Sequence, residues 1–233
     1  MGETVTLDRD RSHYLQHVLR LKPGAAVDLF NGRDGIDYRA CLDVDGKRLV
    51  ARIESLNPRD TEAAFDSTLV QGLGRVDHVD WLVQKTTELG VNRILLFNAE
   101  HTQHPLKPAQ LEKKLRHWCA VAISACEQCG RARLPMIEFS SELAQAVPAG
   151  GAVLKLVLDD EGEPLARYFE GPQASLSILV GPEGGLSRSE VEIASQAGFR
   201  PASLGARILR FETAAVAALA VAQSILDDKK QAP

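Results

Sequence analysis

The stretch that decides the fold of this chain is Ile178-Leu179-Val180-Gly181-Pro182-Glu183-Gly184-Gly185-Leu186-Ser187. Its first three residues are the apolar end of a predicted buried strand, and a glycine-rich loop follows immediately. Ser187 is a favourable helix N-cap, and Glu190 three residues later completes a capping-box pattern. A buried strand, a loop of this kind and a helix are typical of parallel α/β sheets, in which ligands bind beyond the carboxyl ends of the strands.

Two glycines of this loop, Gly184 and Gly185, permit a positive φ angle and the close approach of a ligand. A tight strand–helix connection that binds nothing explains them equally well. A phosphate-binding loop is a weaker interpretation, because neither G-x-G-x-x-G nor G-x-x-x-x-G-K is present. The loop alone leaves the first two interpretations open.

Strands and helices alternate on both sides of this stretch. The predicted strands are Thr68–Leu73, Ile94–Phe97, Leu154–Leu158, Leu176–Val180 and a short one near Ser203-Leu204. The predicted helices are Val76–Leu89, about Pro108–Cys129, Ser187–Ala197 and about Glu212–Leu226. This alternation predicts a parallel sheet covered by helices, and it places one α/β domain over residues 61–233.

The first 60 residues follow a different pattern, with short strands around tight turns. Asn31-Gly32 and Asp45-Gly46 separate runs of alternating apolar and polar residues, as hairpin turns do. A helix is predicted before them, from His13 to Leu21. Residues 1–60 are therefore predicted to form a small β-barrel-like domain, with Asn57-Pro58-Arg59-Asp60 as the linker.

Composition narrows the class of protein. The formal net charge of -4 does not suggest a nucleic-acid binder, but residues 101–135 hold six Lys/Arg against two acids. Such a local basic surface fits an RNA partner with a limited footprint, and it also fits an ordinary solvated helix. Four cysteines without a signal peptide favour a reduced, cytoplasmic protein. The longest apolar run, Ala214–Ala222, is too short to cross a membrane.

A second informative segment is Ser203-Leu204-Gly205-Ala206-Arg207-Ile208-Leu209-Arg210-Phe211-Glu212-Thr213-Ala214. It combines a glycine turn with two arginines and a carboxylate, just before an alanine-rich helix. Arg210 and Glu212 are candidates for orienting a substrate and stabilising developing charge. A helix-capping carboxylate and a surface arginine are the structural alternative.

Together these segments resemble the ribosomal-RNA uridine-N3 methyltransferases of the SPOUT, or trefoil-knot, class. The matching motifs are Gly181–Ser187, Leu204–Ala214, Gln84–Val91 and Ala125–Arg131, and His17–Gly24 matches the PUA-like N-terminal domain of that family. The resemblance covers nearly the whole chain. The sequence departs from the family pattern at Ala206, Phe211 and Asp159, where relatives often carry Pro, Thr and His, respectively. Little sequence precedes Val5, so we expect a truncated start or a barrel that closes differently.

The resemblance implies an α/β fold, with a trefoil-knotted parallel-sheet methyltransferase domain at 61–233 preceded by a small PUA-like β-barrel domain at 1–60. It implies that the knot loops bind S-adenosyl-L-methionine (SAM), largely through backbone atoms. By motif match the cofactor-binding residues are Leu158, Gly181, Pro182, Glu183, Gly184, Gly185, Leu204, Gly205, Ile208, Leu209 and Arg210. The implied reaction is methyl transfer to N3 of a uridine in 16S ribosomal RNA of the small subunit.

The reaction suggests roles for several charged residues. Uridine N3 must lose a proton, and Arg210 is expected to stabilise the negative charge that appears on the base carbonyls. Glu212 is expected to orient Arg210 or to assist proton removal, and the sequence does not identify the general base. The expected phosphate contacts are Arg20, Lys113, Arg116 and Arg131.

A homodimer is expected for two reasons. The predicted helix Glu212–Leu226 is apolar on all sides from Ala214 to Ala222, so a second partner is needed to cover it. The family resemblance also implies dimers whose RNA site draws on both chains. The alternative is a central helix buried wholly within its own domain.

A metal site is not predicted. Cys126-x-x-Cys129, with Cys119 and the pair His101 and His104 nearby, has some of the spacing of a zinc site. Only one C-x-x-C is present, however, and it lies within a predicted helix. Two rival functions stay open: a knotted methyltransferase for another RNA, and a non-catalytic RNA-binding factor of ribosome assembly. SAM binding separates the second rival from an enzyme.

Overall fold

The computed structural model describes residues 2–46, 48–59, 61–147, 152–169 and 173–231. By its internal contacts the chain divides into two compact units. The first is Met1–Thr61 with Arg131–Arg133, and the second is Glu62–Gly130 with Leu134–Pro233. Each unit has its own sheet.

The first unit is a four-stranded antiparallel sheet in the order β1-β4-β3-β2. Its elements are β1 (Thr4–Thr6), α1 (Arg9–His13), a π-helical turn (Tyr14–Val18), β2 (Ala26–Phe30), β3 (Ile36–Asp45) and β4 (Arg48–Pro58). Alternate residues of β3 and β4, such as Ala40, Leu42 and Ala51, form the buried core. The predicted hairpins at Asn31-Gly32 and Asp45-Gly46 are confirmed, because β2 pairs with β3 and β3 with β4.

Two predictions for this unit are wrong in detail. The helix starts at Arg9, four residues early, because Asp8 caps it by accepting a hydrogen bond from the Arg11 amide at 2.7 Å. Asn57 and Pro58 belong to β4, paired with Asp37 and Ile36, so they are not linker, and Asp60 lies outside the described residues. Val5 lies in β1 and pairs with Ala51.

The second unit is a six-stranded sheet in the order β10-β8-β9-β5-β6-β7, in which every neighbouring pair is parallel. Its strands are β5 (Asp66–Gly72), β6 (Arg93–Phe97), β7 (Met136–Ser140), β8 (Leu154–Pro164), β9 (Ser175–Val180) and β10 (Arg200–Ser203). Its helices are α2 (Val76–Glu88), α3 (Pro108–Cys129), α4 (Leu143–Ala146), a 3-10 turn (Leu165–Phe169), α5 (Arg188–Gln196) and α6 (Phe211–Gln231).

Helices cover both faces of this sheet, which explains the nearly continuous apolar strands. Leu69 of β5 and Ile178 of β9 face a core built with α2, α3 and α6. Their neighbours Val70 and Leu179 point the other way, into a core that includes residues of α4 and α5. The predicted fold class, a parallel α/β domain after a small β domain, is therefore confirmed. In the described residues no helix is both long and apolar enough to span a membrane.

Candidate active site

A cavity of about 690 Å³ in the second unit lies beyond the carboxyl ends of β9 and β10, and we call it the main cavity. Three segments contribute most of its wall: Leu158–Asp160 of β8, the loop after β9, and the loop that joins β10 to α6. Arg75 and His78, at the start of α2, complete it. Its volume is that of a typical small-molecule site.

Nearly all predicted cofactor-binding residues line this cavity, which shows that segments distant in the sequence meet at one place. They are Leu158, Gly181, Pro182, Glu183, Gly185, Leu204, Gly205, Ile208, Leu209 and Arg210. Gly184 is the exception. A Cβ at Gly184 would lie 2.8 Å from the Cβ of His101, so this glycine allows close packing against a neighbouring loop and does not line the wall.

The loop after β9 has a defined conformation. The Gly185 amide donates to the Pro182 carbonyl at 2.9 Å, which closes a tight turn. Gly185 has a φ of +72° with open space where a Cβ would stand. The predicted capping box is confirmed, with the Glu190 amide donating to Ser187 Oγ at 3.2 Å and the Ser187 amide donating to Glu190 Oε2 at 2.8 Å. The turn and the capping box therefore hold the loop in one conformation, in which its backbone lines the cavity.

The loop between β5 and α2 also belongs to the site, and the sequence did not reveal it. Gly74 permits this approach, because a Cβ there would stand 2.4 Å from the Phe211 ring and 2.8 Å from Glu183 Oε1. The Arg75 amide donates to Glu183 Oε1 at 3.0 Å. The available signal was that Leu73-Gly74-Arg75 follows β5, whose carboxyl end lies at the same edge of the sheet as Gly181.

His78 and Glu212 form a polar pair in the main cavity. His78 Nδ1 lies 3.4 Å from Glu212 Oε1, and their side chains are 26% and 10% exposed. Neither His78 Nδ1 nor Glu212 Oε2 has a hydrogen-bond partner among the described residues, although both atoms are buried. The sequence predicted Glu212 as a site residue, but it did not predict the neighbouring His78.

Two charged neighbours complete the electrostatics of the pair. Asp77 Oδ2 lies 3.8 Å from His78 Nε2. Desolvation raises the pKa of Asp77, but the hydrogen bond and the charge of the Arg75 guanidinium together hold this pKa below its usual value. Arg210 lines the same cavity, is exposed, and forms no ion pair with any residue that the structure describes. A guanidinium in this position is available to an anion.

The predicted RNA contacts have different environments. Arg20, Lys113 and Arg116 are exposed, and the last two lie three residues apart on α3. Arg116 is 3.5 Å from Glu112 in an exposed ion pair, which is worth little. Arg131 is only 4% exposed and is already engaged within the protein, so its guanidinium is not presented to a phosphate. This burial does not favour a phosphate contact at Arg131.

The first unit has a second cavity of about 450 Å³, the N-terminal cavity, that the sequence did not predict. Four basic or titratable side chains line it: Arg9, His13, His17 and Arg48. The residues that line it include no acid. The sequence signal was the spacing of Arg9, His13 and His17, four residues apart, which puts them on one face of a helix.

The cysteines do not converge on a metal site in the part of the chain that the structure describes, where no three His, Cys, Asp or Glu side chains form a candidate cluster. Cys126 is buried, whereas Cys119 and Cys129 are exposed, and all three lie on α3. The Cys129 thiol points back to the Cys126 carbonyl at 3.9 Å, a contact within the helix.

Comparison with known proteins gives matches over nearly the whole chain. Residues 61–223 match the model of an RNA methyltransferase domain, and residues 7–58 match that of an RNA methyltransferase PUA domain. Ribosomal RNA small subunit methyltransferase E from Synechocystis is 33% identical over 230 residues, which are 96% of this chain and 74% of the relative. The same-named protein from Buchnera aphidicola of Schizaphis graminum is 29% identical, over 96% of this chain and 91% of the relative.

Two solved structures are similar in fold and sequence. A putative methyltransferase from Legionella pneumophila, in complex with SAM, has a TM-score of 0.89 and 33% identity over 96% of this chain and 92% of that one. A ribosomal RNA small subunit methyltransferase E from Neisseria gonorrhoeae, bound to SAM, has a TM-score of 0.86 and 33% identity over 97% and 94%.

Proposed function

The chain belongs to the RNA methyltransferase family with an N-terminal PUA domain, and from that premise we propose that it transfers a methyl group from SAM to N3 of a uridine in 16S ribosomal RNA. It is a SAM-dependent RNA methyltransferase with the parallel-sheet SPOUT fold, for which the family resemblance implies a trefoil knot. The observation that supports the site is the convergence of ten predicted residues on the main cavity, with Glu212 beside them.

The main cavity fits SAM in size and chemistry. Its wall combines apolar side chains such as Leu204 and Leu209 with the backbone of the loop after β9. The open space beside Gly185 lets a ligand approach the chain closely. When bound, SAM supplies a methyl group on a sulfonium, which is ready for in-line displacement. The contribution of the protein is then position and electrostatics.

Arg210 and Glu212 are the residues that we assign to the substrate side. Arg210 is exposed and without an ionic partner in the described chain, so it can hold the negative charge that develops on the uridine carbonyls. Glu212 is 10% exposed and lies at the start of α6, where it can orient a neighbouring polar group. The uridine must be unstacked before it reaches this cavity.

We assign RNA contacts to both domains, which we take as residues 1–60 and 61–233. Arg20, Lys113 and Arg116 are exposed cations, and the N-terminal cavity adds Arg9 and Arg48. Phosphate contacts of this kind position the RNA without reading its sequence. We further propose that the protein acts in the cytoplasm on RNA within the small subunit, without a metal ion.

A homodimer is the proposed assembly, with α6 at or near the interface. Ala215, Ala218 and Ala222 of α6 are buried in the domain core. Val216, Ala217 and Ala220, on another face of the helix, are only half-buried. These small side chains would let a helix of a second copy approach closely, and they leave apolar surface that a single chain does not fully cover.

The decisive experiment uses ribosomal RNA from a strain that lacks the gene. Mass spectrometry of its 16S RNA is expected to show one 3-methyluridine missing, and purified protein with SAM should restore it on subunits from that strain. Restoration should fail with the Arg210→Ala variant. An unchanged modification pattern would refute the assignment to 16S RNA. A protein that ignores SAM in calorimetry would instead be a non-catalytic RNA-binding factor.

A further inference from the structure

His78 is the one ring nitrogen base in the wall of the main cavity among the residues described. It lies in the first turn of α2 and is 26% exposed, so a substrate can reach it. Carboxylates stand on both sides of the ring, with Glu212 Oε1 at 3.4 Å from Nδ1 and Asp77 Oδ2 at 3.8 Å from Nε2. Carboxylates at these positions can stabilise the positive charge of a ring that has accepted a proton from a substrate.

The pair contains two buried polar atoms that lack hydrogen bonds, His78 Nδ1 and Glu212 Oε2. Buried polar atoms of native proteins are nearly always satisfied, so each exception calls for an explanation, and a catalytic role is one such explanation. The distance of 3.4 Å between Nδ1 and Oε1 is slightly long, as catalytic hydrogen bonds often are before a substrate binds. Both residues line the cavity in which the reaction is proposed to occur.

Two other carboxylates of the cavity, Glu183 and Asp159, are less suitable as bases. Glu183 Oε1 already accepts from the Arg75 amide, and Asp159 Oδ1 accepts from the Glu161 amide at 2.9 Å. A carboxylate is also a much weaker base than imidazole at neutral pH. Asp77 is held by the Arg75 guanidinium at 3.1 and 3.3 Å. His78 Nε2 forms no hydrogen bond with any residue that the structure describes.

We propose that His78 is the general base that removes the N3 proton of the target uridine, with Glu212 as its positioning residue. This inference rests on the proposed uridine methylation. Nε2 takes the proton, the N3 electron pair forms the new bond to the methyl carbon, and the electron pair of the broken carbon–sulfur bond stays on sulfur. The products are 3-methyluridine, S-adenosylhomocysteine and a protonated His78, which returns its proton to water. Glu212 accepts from Nδ1–H and so keeps Nε2 as the acceptor.

The test compares His78→Asn with the wild-type protein in single-turnover methylation of subunits from the deletion strain. Asparagine retains a donor near the position of Nδ1 but cannot take up the proton. We expect the single-turnover rate constant to fall by about 10²–10⁴, while the SAM dissociation constant measured by calorimetry stays within about twofold of the wild-type value. The matched control is His104→Asn, an exposed histidine outside the cavity, which should leave both values unchanged.

The pH profile gives a signature that a structural role would not produce. The wild-type rate should rise with pH to a plateau, as expected for a reaction with one general base. The rate of His78→Asn should keep rising, because only the ionisation of the uridine itself then supplies the reactive N3. A second variant, Glu212→Gln, is nearly isosteric and should lower the single-turnover rate constant by about tenfold or more. In NMR spectra of the imidazole, the wild type should show the Nδ1–H tautomer, and Glu212→Gln should lose this preference.

The possible outcomes separate this inference from the function on which it rests. If the wild-type protein does not methylate the subunit, both fail. If it does, and His78→Asn keeps the wild-type rate and pH profile, His78 is not the base. An equal loss of the single-turnover rate constant and of SAM affinity would make His78 a cofactor contact and overturn the inference. If His78→Asn does not fold, an Nε2–H tautomer in the wild-type spectrum, unaffected by Glu212→Gln, overturns it independently.

Discussion

Replacing Gly185 by alanine tests whether the loop after β9 holds SAM through its backbone shape. Gly185 has a φ of +72°, and no atom lies within 4 Å of the position that a Cβ would take. The substitution therefore adds backbone strain and no collision within the protein. A left-handed conformation costs an ordinary residue about 1–2 kcal/mol. In the free energy of unfolding, about 0.4–1 kcal/mol of this cost is offset, because alanine has less conformational freedom than glycine in the unfolded chain.

In the free variant, the loop can relax and so relieve this strain. If SAM binds only the observed loop conformation, binding must restore the strained conformation, and affinity falls by that free energy. We expect the SAM dissociation constant, measured by isothermal titration calorimetry, to rise by about 5–30-fold, the equivalent of that strain. The new methyl group also reaches into space that the ligand would use, which can only increase the loss. Valine, with its branched Cβ, should abolish binding altogether.

Gly198 supplies the matched control. It has a φ of +87° with equally open surroundings, but it ends α5 and does not line the main cavity. Gly198→Ala should lower the unfolding midpoint as much as Gly185→Ala does, by a few °C for a chain of this size. Its SAM affinity should match that of the wild type. If Gly185→Ala loses stability as the control does and still binds SAM normally, the loop does not hold the cofactor.

Three further expectations follow from the site and from α6. Arg210→Ala should lower kcat by about 10²–10³ but SAM affinity by much less, since the charge that it stabilises appears only during the reaction; equal losses would make it a cofactor residue. Cys126→Ser and Cys129→Ser should each keep most activity, and metal analysis of the purified protein should find no stoichiometric zinc. One zinc per chain would contradict this expectation. Light scattering at micromolar concentration should give twice the chain mass of 25.3 kDa, whereas an active species of single-chain mass would exclude the dimer.

The sequence predicts elements best where the signals are local. The bounds of α3, Pro108–Cys129, follow from a proline at its start and a glycine after its end, and they agree with the prediction. The capping box of α5 is equally local. Strand β7, Met136–Ser140, was not predicted, because it is an edge strand whose side chains are at most half-buried and carries little apolar pattern. The early start of α1 depended on Asp8, which looks like an ordinary turn residue in the sequence.

The candidate site could be predicted only as far as its motifs reach. Gly181, Gly205 and Arg210 lie in segments with recognisable spacing, and they do line the main cavity. His78 lies in an ordinary amphipathic helix, and its contact with Glu212 exists because β5, which leads into α2, lies at the centre of the sheet. The N-terminal cavity depends in the same way on Arg48 of β4 approaching the helix that carries Arg9. The His78–Glu212 contact and the N-terminal cavity therefore both depend on strand order, which no local sequence pattern encodes.

The central place of β5 has a consequence for how the protein is made. This strand is synthesised before every other strand of its sheet, yet one of its two neighbours is β9, and Asp66 pairs with Ser175. Pairing between segments so distant in the chain is slow, because a long loop must close before any contact forms. While residues 175–180 are still missing, β5 has only β6 beside it and offers a free edge of seven residues to other strands. A ribosome that stalls within this interval would therefore hold a nascent chain with an unpaired strand edge, which favours aggregation.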